Sequence, residues 1–238
     1  MRESNRIAPL IQTMSQKEPS PLTQTAVIIA GGVLDDSFIS EYCAALQDGY
    51  ILIAADSGLR FCLRRGLTPA YIVGDFDSFD GEDTLRGFAE KGAVIRRFRP
   101  EKDLTDTQIA AQLAMEQGCT RIHLLGGTGG RLDHLLGNLQ IMELCLRKGV
   151  RLVMADPHNR ITMHDTSFEL IRGTKERYVS FVPWGGTVKG LTLTGFKYPL
   201  REHDLSTDQT LGISNELTGE IGQITFRSGN LLMIRSVD

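Results

Sequence analysis

The 238-residue sequence has no apolar stretch that approaches the ~20 residues needed to cross a bilayer, so nothing in it predicts a membrane span. It also lacks a surplus of positive charge. Its formal net charge is −3, which argues against a nucleic-acid partner, because such partners usually need a basic face. The first 24 residues have neither the apolar segment nor the cleavage site of a signal peptide. They are polar and aperiodic, so we expect residues 1–24 to form a poorly ordered arm.

Cysteine is scarce, and its spacing excludes the close pairs that metal sites use. We therefore expect buried thiols and a reducing, cytoplasmic location. The four residues are Cys43, Cys62, Cys119 and Cys145. What the sequence does contain is 41% hydrophobic and 23% charged residues, which is ordinary for a soluble globular protein with a real core.

Short aliphatic runs alternate with helix-like segments between residues 25 and 157. The runs are AVIIA, ILIAA, YIV, AVIRRF, RIHLLG and RLVMA. Four of the helix-like segments end in a glycine, which is typical of the residue after a helix C-terminus. These glycines are Gly66, Gly92, Gly118 and Gly149. The pattern predicts a Rossmann-like parallel sheet flanked by helices on both faces.

The pattern changes after residue 157, where strand-like runs are separated by turn residues and no segment is convincingly helical. Such a succession predicts a small antiparallel β-sandwich. Trp184 is expected to cover the core of this second part, with a place in the lining of a pocket as the alternative. His123, inside a strand run of the first part, is expected to be a packing or surface residue. We therefore expect an arm at 1–24, an α/β domain at 25–157 and a β-sandwich domain at 158–238.

Acidic residues follow three consecutive strand runs of the α/β part. Asp56 follows ILIAA, Asp75 and Asp77 follow YIV, and Asp103 and Asp106 come shortly after AVIRRF. Ligands of open parallel sheets bind beyond the carboxyl ends of the strands, where these acids are expected to meet. Closely packed carboxylates either raise one pKa or share a cation, and hard oxygen ligands of this kind suit Mg²⁺.

Each acidic pair also has a plain structural explanation. Asp75 and Asp77 share one face of an extended segment while Phe76 turns toward the core, yet two solvated turn acids that begin the next helix would show the same spacing. Thr105 and Asp106 belong to a sequence that resembles a helix capping box, with Gln108 three residues after the cap. The convergence of the acids on one edge favours the metal site.

The segment GGTGGRLDH follows the fifth aliphatic run and opens a helix. Glycines let a backbone approach a phosphate closely, and the N–H groups at a helix start attract anions. Arg131 can clamp a phosphate, and Asp133 or His134 can orient it or a ribose. The segment is neither a P-loop nor a G-x-G-x-x-G fingerprint, and a flexible turn is the alternative explanation.

Six motifs, in order and at similar spacing, resemble those of the thiamine pyrophosphokinases: AADSG, GDFDS, KDLTD, GGTGGRLDH, GFKYPL and GISNE. The resemblance extends from about residue 25 to the end of the sequence. It implies that the diphosphate of ATP is transferred to the hydroxyl group of thiamine, giving thiamine diphosphate and AMP. It also implies bound Mg²⁺ and a homodimer with active sites at the subunit interface.

The resemblance also implies roles for particular residues. The catalytic acids would be Asp56, Asp75, Asp77, Asp103 and Asp106, and all of these except Asp103 would bind the metal. The ATP-binding residues would be Lys102, Gly127, Thr128, Gly129, Arg131, Asp133 and His134. The thiamine pocket, contributed across the dimer, would contain Tyr198, Ser214 and Asn215.

Two other functions remain open at this point. A Mg²⁺-dependent phosphohydrolase acting on a nucleotide would use the same acids with water as the nucleophile. A nucleotide-sensing module would bind ATP without turnover, but this leaves the clustered acids without a role.

Overall fold

A computed structural model of the chain describes residues 24–46, 49–76, 81–98, 103–173 and 176–238. The predicted arm lies outside these ranges except for Gln24. The described helices are α1 (Asp36–Ala44), α2 (Gly58–Arg64), α3 (Glu82–Glu90), α4 (Asp106–Glu116) and α5 (Leu132–Arg147). The strands of the first half are β1 (Gln24–Ile29), β2 (Ile51–Ala55), β3 (Tyr71–Gly74), β4 (Val94–Arg97), β5 (Cys119–Leu125) and β6 (Arg151–Ala155). Those of the second half are β7 (Asn159–His164), β8 (Phe168–Ile171), β9 (Tyr178–Thr194), β10 (Leu200–Leu205), β11 (Ile221–Thr225) and β12 (Ser228–Ser236).

The first six strands form the predicted parallel sheet, in the order β4-β3-β2-β1-β5-β6. Strand β1 is buried on both faces because its side chains alternate between two cores. Ile28 packs with residues of α4 and α5, whereas Ile29 packs with residues of α1, α2 and α3 on the opposite face. The prediction of a helix-flanked parallel sheet is therefore confirmed.

Glycine ends four of the helical segments as the sequence predicts. All four predicted glycines have φ angles between +63° and +96°, the left-handed region that a side chain disfavours. Helix α1, however, was missed. Asp35 caps it by accepting a hydrogen bond from the Phe38 N–H at 2.7 Å. Ile39 is buried, and Phe38, Tyr42 and Cys43 pack against the same core at helical spacing.

The second half is antiparallel and continues the same sheet. A hairpin joins β6 to β7, and the order then runs β7-β12-β9-β11-β8, with β10 paired to β9. The first part of β9 pairs with β12 and its last part with β10 and β11, so this 17-residue strand belongs to both layers of a sandwich. Phe181, Leu191 and Ile224 belong to the core between the layers. The described residues after 158 contain no helix, as predicted.

The position expected for Trp184 is wrong. Its ring packs against the core beneath α4 and α5, and its Nε1–H donates to Glu143 Oε2 of α5 at 3.0 Å. The reason is the alternation along β9, where Phe181 faces the sandwich core and Val182 the opposite side. His123 is a packing residue, 3% exposed, with Nδ1 at 2.8 Å from the Tyr42 hydroxyl.

The expectation of buried thiols holds for most of the cysteines. Three of the four thiols are buried, Cys43 is half-buried, and none of the four is in a disulfide. Within the described ranges, every helix is too short or too polar to serve as a membrane span.

Candidate active site

The strand order creates a crevice at the carboxyl edge of the parallel sheet. From β1 the chain winds outward to β2, β3 and β4, and then returns to place β5 on the other side of β1. Such a reversal of winding is where open α/β sheets bind ligands. The loop after β1 (residues 30–34) and the glycine-rich loop after β5 (residues 126–130) border this crevice.

These two loops are in direct contact. The Gly32 N–H donates to Gly126 O at 3.0 Å, and the Val33 N–H donates to Thr128 O at 3.3 Å. A Cβ atom at Gly32 would lie 2.4 Å from Gly126 O, and one at Gly129 would lie 2.7 Å from Val33 Cγ2. The sequence did not single out the β1 loop, although two adjacent glycines one residue after a strand are a usable signal.

Asp56 lies beside the β1 loop. Its backbone N–H donates to Val73 O at 2.8 Å, which fixes it at the end of β2 next to β3, with a φ of 50°. A Cβ atom on Gly31 would lie 3.3 Å from Asp56 Oδ2 and 2.3 Å from Ser57 Oγ. The carboxylate predicted from the sequence therefore borders the crevice, together with Ser57, which the sequence analysis did not select.

Asp75 follows β3, the strand next to β2, and is half-buried. The next residue, Phe76, has a φ of 60° and is buried in the core on the α1–α3 face, as predicted. The Arg97 guanidinium lies over its ring, 5.7 Å from the centroid. Asp77 lies outside the described residues, so its pairing with Asp75 stays a prediction.

Of the two acids near α4, Asp106 begins the helix and Asp103 lies in the segment before it. Thr105 caps α4 by accepting a hydrogen bond from the Gln108 N–H at 3.2 Å, so the predicted cap is confirmed and Asp106 is the first helical residue. Asp103 is exposed and lines a cavity of about 470 Å³ between α4 and β4. Lys102 lies outside the described ranges.

The described donor set suits a hard divalent cation. Asp56 and Asp75 follow neighbouring strands, and Asp106 begins the helix that packs against these strands. Within the described ranges no three Asp, Glu, His or Cys side chains form a group able to hold a metal ion. Mg²⁺ needs only one or two carboxylates when substrate phosphates complete its shell, so the residues present fit this ion.

Arg131 and Asp133 form a two-point ion pair directly after the glycine-rich loop. Arg131 Nε donates to Asp133 Oδ1 at 3.1 Å, and its Nη2 donates to Oδ2 at 2.5 Å. The hydrogen bond to Arg131 holds the pKa of the Asp133 carboxyl below its ordinary value and raises the pKa of the guanidinium. The side chains are 72% and 63% exposed, so a phosphate can compete for the guanidinium.

The three residues predicted to form the thiamine pocket lie close together in the sandwich. Asn215 is 2% exposed, and its Oδ1 accepts from the N–H groups of Tyr198 and Glu216 at 3.0 and 2.9 Å. Its Nδ2 donates to Tyr198 O at 2.7 Å, so the amide clamps both polar groups of that residue's backbone. The Tyr198 ring is 56% exposed. Ser214 has a φ of 56°, and its N–H donates to Ser180 Oγ at 3.0 Å.

The strand register gives the spacing between the two predicted subsites. Asn215 pairs with Val179 of β9 through two backbone hydrogen bonds of 2.8 and 3.0 Å. One row of paired residues crosses the sheet: Ile72, Ala54, Ile29, Leu125, Ala155, Arg160, Arg235 and Val179. Leu125, at the start of the glycine-rich loop, is four strand spacings from Val179, or ~19 Å along the sheet. Ile72 is seven spacings away, or ~34 Å.

The fold and the site together define a chain in which an α/β module with an acidic, glycine-lined edge continues into a β-sandwich. Two family models match it. The one described as thiamin pyrophosphokinase, catalytic domain, matches residues 43–154, and the one described as thiamin pyrophosphokinase, vitamin B1 binding domain, matches residues 165–231. The chain belongs to the thiamine pyrophosphokinase family.

Individual relatives agree with this membership. Thiamine pyrophosphokinase of Bacillus subtilis is 35% identical over 217 residues, which cover 90% of this chain and 100% of the relative. Its crystal structure matches with a TM-score of 0.81 over the same shares of the two chains. Thiamin pyrophosphokinase from Geobacillus thermodenitrificans is 36% identical, with a TM-score of 0.76 over 90% of this chain and 98% of that one.

Proposed function

We propose that the chain transfers the diphosphate of ATP, as one unit, to the hydroxyl group of thiamine, giving thiamine diphosphate and AMP. The observation that carries this proposal is the meeting of acid-bearing strand ends with the glycine-rich loop at one switch-point crevice. Phosphates fit the glycines and the positive end of α5, and the acids would repel them unless a cation lay between. Membership of the thiamine pyrophosphokinase family supports the choice of substrates.

ATP is the substrate for which the glycine-rich loop and the start of α5 are suited. Gly127, Thr128 and Gly129 would approach the phosphates through their backbone, and Arg131 would clamp an oxygen pair. Asp133 holds the guanidinium until the nucleotide competes for it, and His134 lies beside it at the helix start. Lys102, four residues before α4 in the sequence, would add a further positive charge.

One or two of the acids Asp56, Asp75, Asp77 and Asp106 would hold Mg²⁺ together with the substrate phosphates, and Asp103 is close to Asp106 in sequence. When bound, this ion neutralises the negative charge of the phosphates, which is a main requirement of phosphoryl transfer. The thiamine oxygen forms a bond to the β-phosphorus, and the bond from that phosphorus to the oxygen bridging the α-phosphorus breaks, so that AMP leaves. The hydroxyl proton passes to Asp77 or Asp106.

Thiamine would bind at the sandwich, beside Tyr198, Ser214 and Asn215. Thiamine carries a positive charge and flat rings, which an exposed aromatic ring attracts. The Tyr198 ring already has a cation near it, since the Lys197 ammonium lies 5.5 Å from its centroid, and Lys197 is paired with Glu216 at 2.8 Å. We accordingly propose a division of labour between a catalytic domain at 25–157 and a thiamine-binding domain at 158–238, in a cytoplasmic protein.

The spacing of the two subsites supports a homodimer with shared sites. Reacting atoms must approach to ~3–3.5 Å, whereas the two subsites of one chain are separated by ~19 Å or more along the sheet. A second copy that brings its sandwich to the α/β edge of the first would close this gap.

Mixing two inactive variants tests the shared site. Asp75→Asn and Tyr198→Ala chains, dissociated and reassociated together, should recover about a quarter of the wild-type activity, because half the dimers are mixed and each of these has one intact site. No recovery from chains that demonstrably exchange would contradict the shared site.

An assay of AMP release, with and without thiamine, tests the reaction itself. We expect AMP from ATP only when thiamine is present, with thiamine diphosphate formed in equal amount. AMP release that ignores thiamine would indicate a phosphohydrolase, and ATP binding without turnover would indicate a sensing module. Either result would refute the proposed reaction.

A further inference from the structure

The glycine-rich loop presses onto the hydrophobic core where it leaves β5. Gly127 is buried, and a Cβ atom added to it would lie 2.6 Å from Met154 Sδ and 2.9 Å from Leu124 Cδ2. A peptide carbonyl at such a place has little access to water. It therefore needs a hydrogen-bond donor from the protein, because a buried polar group without a partner is destabilising.

Asn138 of α5 is that donor. Its side chain is 6% exposed, and Nδ2 donates to Gly127 O at 2.8 Å. Asparagine is a poor helix former, and burying its amide is unfavourable unless the amide is hydrogen-bonded. The bond to the loop explains why a polar residue occupies this position, next to buried Leu139 and three residues before buried Ile141.

The carbonyls on either side of Gly127 are held as well. Gly126 O accepts from the Gly32 N–H at 3.0 Å, and Thr128 O accepts from the Val33 N–H at 3.3 Å. In a trans peptide the N–H points away from the carbonyl of the same unit, and the described residues contain no cis peptide. The N–H groups of Gly127, Thr128 and Gly129 therefore point away from the donors that hold these carbonyls.

We propose that Asn138 is a positioning residue for the nucleotide: by holding the Gly127 carbonyl, it directs the Thr128 N–H, and with it the loop, toward the phosphates of ATP. The inference rests on the proposed function, since it assumes that this loop binds ATP. Asn138 lies on the buried side of the loop and acts through the peptide backbone, without contacting the substrate.

Two variants separate this role from simple packing. Asn138→Asp keeps the shape but places a carboxylate against the Gly127 carbonyl, and Asn138→Leu keeps the approximate size but removes the donor. Both should weaken binding of a non-hydrolysable ATP analogue by about tenfold or more, since each leaves a buried carbonyl without its donor. Gln140→Glu is the matched control, because it makes the same amide-to-carboxylate change on the exposed side of α5.

The test is calorimetric titration of the full-length chain with the analogue and Mg²⁺, together with the KM values for ATP and thiamine. The inference predicts a higher Kd for the analogue and a higher KM for ATP in both variants, an unchanged KM for thiamine, and wild-type behaviour of Gln140→Glu. Wild-type affinity in folded Asn138 variants would overturn it. An equal rise in both KM values, with a lower Tm, would also overturn it by indicating a merely structural role. If the wild-type chain itself fails to bind the analogue, the proposed function is what fails.

If the variants do not fold, amide hydrogen exchange on the wild-type chain tests whether the loop N–H groups bind the phosphates. The amides of Thr128 and Gly129 should exchange readily in the free chain and slow when the analogue and Mg²⁺ are added. Unchanged exchange of these amides at saturating analogue would contradict the inference.

Discussion

Replacing Gly32 by alanine tests the contact between the two loops that border the crevice. The added Cβ would lie 2.4 Å from Gly126 O and 2.7 Å from Thr128 O, both backbone atoms that cannot rotate away. Ordinary contacts are about 3.4 Å, so the loops must separate by roughly 1 Å. A misplacement of that size costs about 100-fold in rate, and overpacking costs about 1–3 kcal/mol in stability.

The assay is kcat/KM for ATP in the Gly32→Ala variant, with the free energy of unfolding from urea denaturation. Gly87→Ala is the control, because Gly87 lies in α3 with no atom within 4 Å of the added Cβ, so the variant should be stabilised by about 0.5–1 kcal/mol. Wild-type kcat/KM in a folded Gly32→Ala chain would refute the conclusion that this contact positions the nucleotide loop.

Two further predictions concern buried groups. Burial lowers the pKa of His123 to about 4 from 6.5, so stability should rise with pH between these values, at up to ~1.4 kcal/mol per pH unit for each such group. In urea denaturation at several pH values, His123→Phe should reduce the rise of the unfolding free energy with pH. The part due to His164 should remain, because burial also lowers the pKa of that residue to about 4. An unchanged dependence on pH would refute this. Trp184→Phe removes the 3.0 Å bond to Glu143, and should cost about 1 kcal/mol in the same melts. Unaltered stability would show that this bond contributes nothing.

Local sequence signals predicted much of the fold. Aliphatic runs that alternate with helical segments specify the parallel sheet, because strands buried on both faces need apolar residues at every position. The glycines after the helices and the Thr105 cap were also readable, since each depends on its own backbone and near neighbours. Helix α1 was missed although Phe38, Ile39, Tyr42 and Cys43 have helical spacing, and strand β10 was missed because its sequence, LREHDL, is polar.

The candidate site was predicted less completely, because much of it depends on long-range contacts. Asp56 was expected at the crevice from its position after a strand, and it lies there. Gly32 and Asn138 become significant only when the chain brings Gly126 and Gly127 against them, which no local pattern encodes. The place of Asn215 beside thiamine stays a prediction; that its amide also holds the Tyr198 backbone is visible only from its hydrogen bonds.

The most direct test of the central claim is AMP formation by Asp75→Asn and Asp77→Asn chains supplied with ATP, thiamine and Mg²⁺. We expect both substitutions to abolish AMP release while the melting curve keeps its wild-type midpoint, because a neutral amide cannot replace a carboxylate that holds the metal. Turnover at the wild-type rate in both variants would contradict the assignment of these acids as the metal-binding centre of the reaction.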